Sequence, residues 1–330
     1  MHRLFIARLA WLVGLTLAGA ADLRAAEPRG EPEKSVKPAT FVVEEALDVR
    51  YHDADRRQVL DVYRPSGIEK RPVVLFVHGG AWIIGDKNFF GLYRNVGRYL
   101  ARQGLVAVLV NYRLSPVVRH PAHIQDIARA FAWTRKNIGK YGGDPDRVVL
   151  SGHSAGGHLV ALLATDPTWL NDPQLGMSPT DRAAIRGVVP VSGVYRIPGA
   201  GDLSRAAVNL LMILSLNDAA RTTRGVTGKM DEVNPFRIVF GDDPKTWRAA
   251  SPIYHVRKDV PPFLVLYAER ELPTLSLMAR EFGAALESAG ATVEVRRVPE
   301  CHHNTILFRL NEPGNATAEL LLPFIEKVTR

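Results

Sequence analysis

A chain of 330 residues with 46% hydrophobic and 23% charged residues holds enough apolar material for a large core and the charge density of an ordinary soluble globule. Its formal net charge of +8 is dispersed, with no dense basic stripe carrying interleaved aromatics, which argues against nucleic-acid binding. The single cysteine, Cys301, excludes an internal disulfide, so the core must supply the stability.

The first 26 residues carry Arg3 and Arg8, the apolar run 9–21, and small-residue sites at Ala18-Gly19-Ala20 and Arg24-Ala25-Ala26. This is the layout of a signal peptide, and its apolar part is short for a membrane span. Export to the periplasm or the exterior is expected, with an uncleaved anchor as the alternative; after signal removal no stable membrane association is expected. Residues 27–40, rich in Pro, Glu and Lys, read as a flexible leader before a catalytic domain over 41–330.

From there strand-like and helix-like patterns alternate. Residues 41–49 and 58–63 form an expected antiparallel pair around the turn His52-Asp53-Ala54-Asp55. Apolar, β-branched runs follow at 73–77, 106–110, 148–150, 188–191, 263–267 and 293–298, as suits parallel strands covered on both faces. Helical patterns occupy 90–102, 124–141, 155–165 and 275–288, several closed by glycine, and a last helix spans 316–328 with Pro323 set to kink or divide it. The expected architecture is α/β: an eight-stranded, mostly parallel sheet with helices on both faces. The long connection between Val191 and Phe263 breaks the rhythm, and 199–235 reads as a small cap insertion.

The chemistry concentrates where strands end. Gly152-His153-Ser154-Ala155-Gly156-Gly157 follows the run 148–150 and opens a helix, a G-x-S-x-G elbow that exposes Ser154 Oγ. A serine hydroxyl needs a base, and the base needs a group to hold its tautomer; in elbow hydrolases the order is serine, acid, histidine. After 293–298 come His302 and His303, of which His303 stands at the usual distance and His302 is the fallback. After 263–267 no aspartate is present; Glu271 is the first candidate for the acid and Glu269 the second. Cys301 is a poor rival nucleophile beside an elbow serine. His78-Gly79-Gly80-Ala81-Trp82 follows 73–77, so the amides of Gly80 and Ala81, with that of Ala155, are the expected oxyanion hole. Trp82 and Tyr195 are the candidate substrate-pocket residues, with packing against the core as the alternative for each. His153, His158, His302 and His303 lack carboxylate or cysteine partners at ligand spacing, so no metal and no other cofactor is expected.

The sequences His78-Gly79-Gly80-Ala81-Trp82 and Gly152-His153-Ser154-Ala155-Gly156-Gly157 resemble the hormone-sensitive-lipase-like esterases of the α/β-hydrolase superfamily, above all the branch with kynurenine formamidases and small carboxylesterases. Leu60-Asp61-Val62-Tyr63, Asn111-Tyr112-Arg113-Leu114, Asp144-Pro145-Asp146-Arg147 and Ser251-Pro252 extend the likeness. The resemblance implies an α/β-hydrolase fold, Ser154 as nucleophile, His303 as base, and Gly80, Ala81 and Ala155 as oxyanion donors. Glu271 stands where the family usually has aspartate. The implied activity is a serine carboxylesterase acting on a small-molecule ester with a short acyl or aryl group. An arylformamidase-like amide hydrolase is the alternative, and a non-catalytic binding protein on the same fold is the alternative of another class. The oligomeric state is not legible.

Overall fold

The structure is a computed structural model and describes residues 40–198 and 235–330. The signal-like segment, all but the last residue of the leader, and all but the last residue of the expected cap lie outside the described residues.

Eight strands form one sheet: β1 (Val43–Arg50), β2 (Val59–Pro65), β3 (Arg71–Val77), β4 (Val106–Val110), β5 (Gly143–His153), β6 (Ile185–Val191), β7 (Phe263–Arg270) and β8 (Val293–His302). Their spatial order is β1-β2-β4-β3-β5-β6-β7-β8. β2 runs antiparallel to β1 and β4, and the remaining neighbours are parallel. The helices are α1 (Leu92–Arg102), α2 (Ala122–Asn137), α3 (Ala155–Thr165), α4 (Pro179–Ala183), α5 (Pro235–Phe240), α6 (Pro244–Ala249), α7 (Pro273–Ser288), α8 (Thr305–Phe308) and α9 (Ala316–Thr329).

The layering follows from β3. Val73, Leu75 and Val77 pack with Ile127 of α2, Leu159 of α3 and Phe282 of α7. Val74 and Phe76 pack on the opposite face with Leu100 of α1 and Phe324 of α9. A strand covered on both faces must be apolar at every position, which is why 73–77 and 106–110 read as unbroken runs. Helix α3 is buried along its whole length, consistent with its place behind the central strands.

Several boundaries differ from expectation. β5 begins at Gly143, and β7 and β8 run on to Arg270 and His302, because backbone pairing such as Arg270 with His302 holds polar residues extended. The pattern over 124–141 divides into α2 and a 3₁₀ turn, Ile138–Tyr141, that stops at Gly142 with φ 74°. Pro323 sits inside α9, which stays a single helix. The short α5 and α6 each open with a proline and have no periodic stretch long enough to announce them.

Several motifs of the resemblance turn out to be polar staples. Asp61 is buried and pairs with Lys87 Nζ at 2.9 Å. Asn111 accepts from the Lys87 amide at 2.6 Å and donates to Asp86 at 2.9 Å. Arg113 grips the buried Asp126 with two prongs at 2.7 and 2.8 Å. Ser251 Oγ accepts from the Ile197 amide at 2.8 Å and donates to the Trp247 carbonyl at 2.6 Å. The first two fix the loop that follows β3, where the expected oxyanion turn lies.

Candidate active site

Ser154 stands between β5 and α3 with φ 55° and ψ −116°, a backbone position that L residues seldom take. Its amide donates to the Val191 carbonyl at 2.9 Å, tying the turn to β6. The corner is too tight for side chains around it: a Cβ on Gly152 would lie 2.5 Å from the Gly156 carbonyl oxygen, and one on Gly156 would lie 2.0 Å from that of Val77. The elbow is therefore seated directly on the end of β3, and Ser154 itself is only half-buried.

The acid and the base come together through strand pairing. Arg270 pairs with His302 as the last rung between β7 and β8, so Glu271 and His303 emerge side by side. His303 Nδ1 lies 2.8 Å from Glu271 Oε1. Glu271 also accepts from the Leu272 amide at 2.9 Å and the Ala268 amide at 3.3 Å, and its side chain is 1% exposed. Burial works to raise the Glu271 pKa, but the hydrogen bond and charge of His303, helped by the Leu272 amide, outweigh it and hold the carboxyl at about 2. With Glu271 ionised, Nδ1 is the donor and Nε2 keeps the lone pair that a base requires.

The rival residues are engaged elsewhere. Glu269 accepts from the Glu300 amide at 3.0 Å and pairs with Arg297 at 3.1 Å. His302 is exposed, and its amide donates to Thr305 Oγ1 at 3.0 Å. Cys301 is buried, which pushes its thiol pKa up, and Sγ donates to the Val298 carbonyl. The elbow touches the base loop through His153: its Nε2 lies 2.7 Å from the His303 carbonyl oxygen, and the two imidazoles stand 4.8 Å apart.

The oxyanion turn is coiled against the same point. Gly80, Ala81 and Trp82 take φ 116°, 51° and 59° in succession, and the Gly80 carbonyl accepts from the amides of Ile83 and Ile84 at 3.0 Å. A Cβ on Gly79 would stand 3.1 Å from Ser154 Cβ, so this backbone passes directly beside the serine. Among the described residues nothing accepts from the amides of Gly80 and Ala81, and that of Ala155 opens α3, where first-turn amides lack intrahelical acceptors. His78 braces the turn from behind: it is buried, donates from Nδ1 to the Gly79 carbonyl at 2.7 Å, and stacks on Tyr112 at 4.5 Å. Burial lowers its pKa to about 4, so it stays neutral.

Of the two expected pocket residues, Trp82 is 1% exposed, donates to His158 Nδ1 at 3.2 Å and meets Phe240 edge-on at 5.1 Å. Tyr195 is fully buried and stacks on Phe282 at 4.4 Å. Both spend their aromatic area on the core. Among the described residues no group of three or more His, Cys, Asp or Glu is arranged to hold a metal ion, and no helix is long and apolar enough to cross a membrane.

The BD-FAE family profile matches residues 60–272, a stretch that takes in the oxyanion turn, the elbow and Glu271. The chain belongs to the BD-FAE family. Of the site described above, only the base loop with His303 lies past the BD-FAE match. The chain is 36% identical over 262 residues to Esterase LipQ of Mycobacterium tuberculosis, covering 78% of this chain and 56% of that protein. It is 27% identical over 293 residues to the kynurenine formamidase of Danio rerio, covering 88% of this chain and 85% of that protein. It spans 56%, 50% and 65% of the lengths of the mycobacterial relatives LipQ, LipM and LipC. The crystal structure of an inhibited esterase B from Lactobacillus rhamnosis superposes with a TM-score of 0.67 at 25% identity, over 87% of this chain and 86% of that one. These likenesses agree with the eight-stranded sheet in assigning the α/β-hydrolase fold and its hormone-sensitive-lipase-like carboxylesterase branch.

Sequence reasoning misses the residues that support this site. Tyr93 and His158 act on it from α1 and α3. Their contacts join elements far apart in the chain, so no spacing announces them.

Proposed function

We propose that this protein is a serine carboxylesterase that hydrolyses short-acyl or aryl esters through an acyl-enzyme. Ser154 Oγ attacks the ester carbonyl carbon as His303 Nε2 takes its proton. The carbonyl oxygen becomes an oxyanion facing the amides of Gly80, Ala81 and Ala155, each donor contributing on the order of a hundredfold in rate. Collapse breaks the bond to the alcohol, which leaves with the proton from His303. Water then gives a proton to His303 as it attacks the acyl carbon, and collapse of this second intermediate breaks the bond to Ser154 Oγ, which takes the proton back from His303 as the acid is released. Glu271 stays ionised throughout, orienting His303 and stabilising its protonated form.

The observation that carries this reading is the 2.8 Å contact between His303 Nδ1 and Glu271, made where the base loop bonds to the residue beside Ser154. The names of the mycobacterial relatives support ester hydrolysis. Arylformamide hydrolysis is the second reading, favoured by a zebrafish kynurenine formamidase that this chain covers over 85% of its length. The catalytic steps are the same, with an amine as the leaving group.

Purified protein and its Ser154→Ala variant should be assayed on p-nitrophenyl acetate, butyrate and octanoate and on an aryl formamide. Ester turnover that favours the shorter acyl groups and vanishes in the variant is expected. Faster turnover of the formamide would favour the second reading, and no serine-dependent turnover of any substrate would leave a binding protein on a hydrolase fold. Export through residues 1–26 is part of the proposal, and the amino-terminal sequence of protein recovered from fractionated cells tests it: an intact Met1 in the cytosolic fraction would overturn it.

A further inference from the structure

The buried polar groups between the elbow and α1 can be satisfied in one direction only. The His303 carbonyl oxygen accepts, so the nitrogen 2.7 Å from it, His153 Nε2, must carry a hydrogen. His153 Nδ1 then holds a lone pair, and its neighbour at 2.9 Å, the Tyr93 hydroxyl, must donate to it. The Tyr93 oxygen in turn accepts from the Gly79 amide at 3.0 Å. One chain of hydrogen bonds thus runs from the oxyanion turn through α1 and the elbow to the backbone of His303. His153 is 2% exposed and Tyr93 is 4% exposed, and Phe308 closes over both rings at 6.0 and 5.4 Å. Burial lowers the His153 pKa to about 3, with the neighbouring His303 acting in the same direction, so the tautomer does not titrate under working conditions.

We propose that His153 and Tyr93 are positioning residues that fix His303 against Ser154 and hold the oxyanion turn in register with both. This rests on the esterase reading of the site. Glu271 fixes the orientation of the His303 ring, but it stands at the end of β7 and says nothing about how far that ring sits from the elbow. The bond from His153 supplies that second coordinate, because His153 is the residue next to Ser154 in the chain. A loop carrying the base is free to drift without it, and a displacement near 1 Å costs up to about a hundredfold in rate. The Tyr93 hydroxyl adds the third element, since the amide it accepts belongs to the residue before the Gly80 donor.

Three variants test this with steady-state kinetics on p-nitrophenyl acetate. His153→Leu keeps the bulk and loses both polar contacts; its kcat is expected to fall about 10- to 100-fold with KM within about twofold of wild type. His153→Gln returns an N–H donor near the place of Nε2 and is expected to recover most of that loss. Tyr93→Phe is expected to fall about tenfold, again in kcat. Combined with His303→Ala, the change at 153 is expected to cost nothing further, which a merely structural role would not produce. Circular dichroism checks folding, and if His153→Leu does not fold, His153→Gln and Tyr93→Phe decide. Wild-type turnover with kcat unchanged in His153→Leu and in Tyr93→Phe, or with His153→Gln as poor as a folded His153→Leu, would overturn the inference alone. A wild-type protein without Ser154-dependent turnover would overturn the esterase reading and this inference with it.

Discussion

Replacing Glu271 by glutamine keeps the size of the side chain, removes its charge and turns one of its two acceptor oxygens into a donor. The carboxyl is held at about 2, against an ordinary value of 4.5, mainly by His303 overcoming the cost of burial. That difference corresponds to about 3 kcal/mol of preference for the ionised form. In the reaction the Glu271 carboxylate also faces the positive charge that develops on the imidazole when the base takes the serine proton, and glutamine withdraws that stabilisation. The amide adds a second fault: its NH₂ facing Nδ1 selects the tautomer with the proton on Nε2, which cannot accept one. Together the expected loss in kcat is on the order of 10³ to 10⁴, with KM little changed. Initial rates on p-nitrophenyl acetate measure it, and the melting temperature by circular dichroism confirms folding. Glu269→Gln, whose carboxylate serves Arg297 and the Glu300 amide, should stay within about threefold of wild type. A Glu271→Gln enzyme within tenfold of wild type, or a larger loss from Glu269→Gln, would refute the reasoning.

Other outcomes follow from the same contacts. Gly79→Ala places a Cβ 2.9 Å from the Tyr93 hydroxyl and 3.1 Å from Ser154 Cβ, so kcat should fall at least about tenfold, whereas Gly139→Ala, with open space around it, should not change kcat. Burial lowers His78 and His120 to about 4 and His123, His153 and His158 to about 3. Below the unfolded imidazole value the unfolded chain binds more protons than the folded one, so stability is full at neutral pH and drains as pH falls from about 6.5 towards 3. The melting temperature should be level between pH 7 and 8 and drop on the order of 10 °C by pH 5; no change over that interval would contradict it. Glu271 joins this loss only below its unfolded value of 4.5, down to about 2. Arg113→Ala removes the two-pronged partner of the fully buried Asp126 and leaves it Gln58 Nε2 at 2.7 Å, the residue-113 amide at 3.0 Å and Arg129 at 3.5 Å, so it should cost about 2 kcal/mol of stability by denaturant titration, while folded enzyme keeps its kcat.

The sheet was legible because its central strands are buried on both faces, so burial alone writes β3 and β4 as unbroken apolar runs. The ends of β7 and β8 were not, because Arg270 and His302 are held there by backbone pairing with each other, which leaves no hydrophobic mark. Ser154 and the glycines around it could be read directly, since a backbone at φ 55° packed this closely tolerates few sequences. Distance from the strand end favours His303 over His302, Glu271 stands where the resemblance expects the acid, and it is the register shift between Ala268 and Arg270 that brings the two side by side. The chain of bonds through Tyr93 and His153 carries no sequence signature, because a buried tyrosine and a histidine beside a serine look like ordinary core.

The central claim is that Ser154 is made reactive by His303, and covalent trapping tests it most directly. Protein treated with a p-nitrophenyl alkylphosphonate and digested for mass spectrometry should carry one phosphonyl adduct, on the peptide containing Ser154, and His303→Ala should form it at least about a thousandfold more slowly. An adduct on another residue, or labelling of Ser154 at the same rate without the imidazole, would contradict the account.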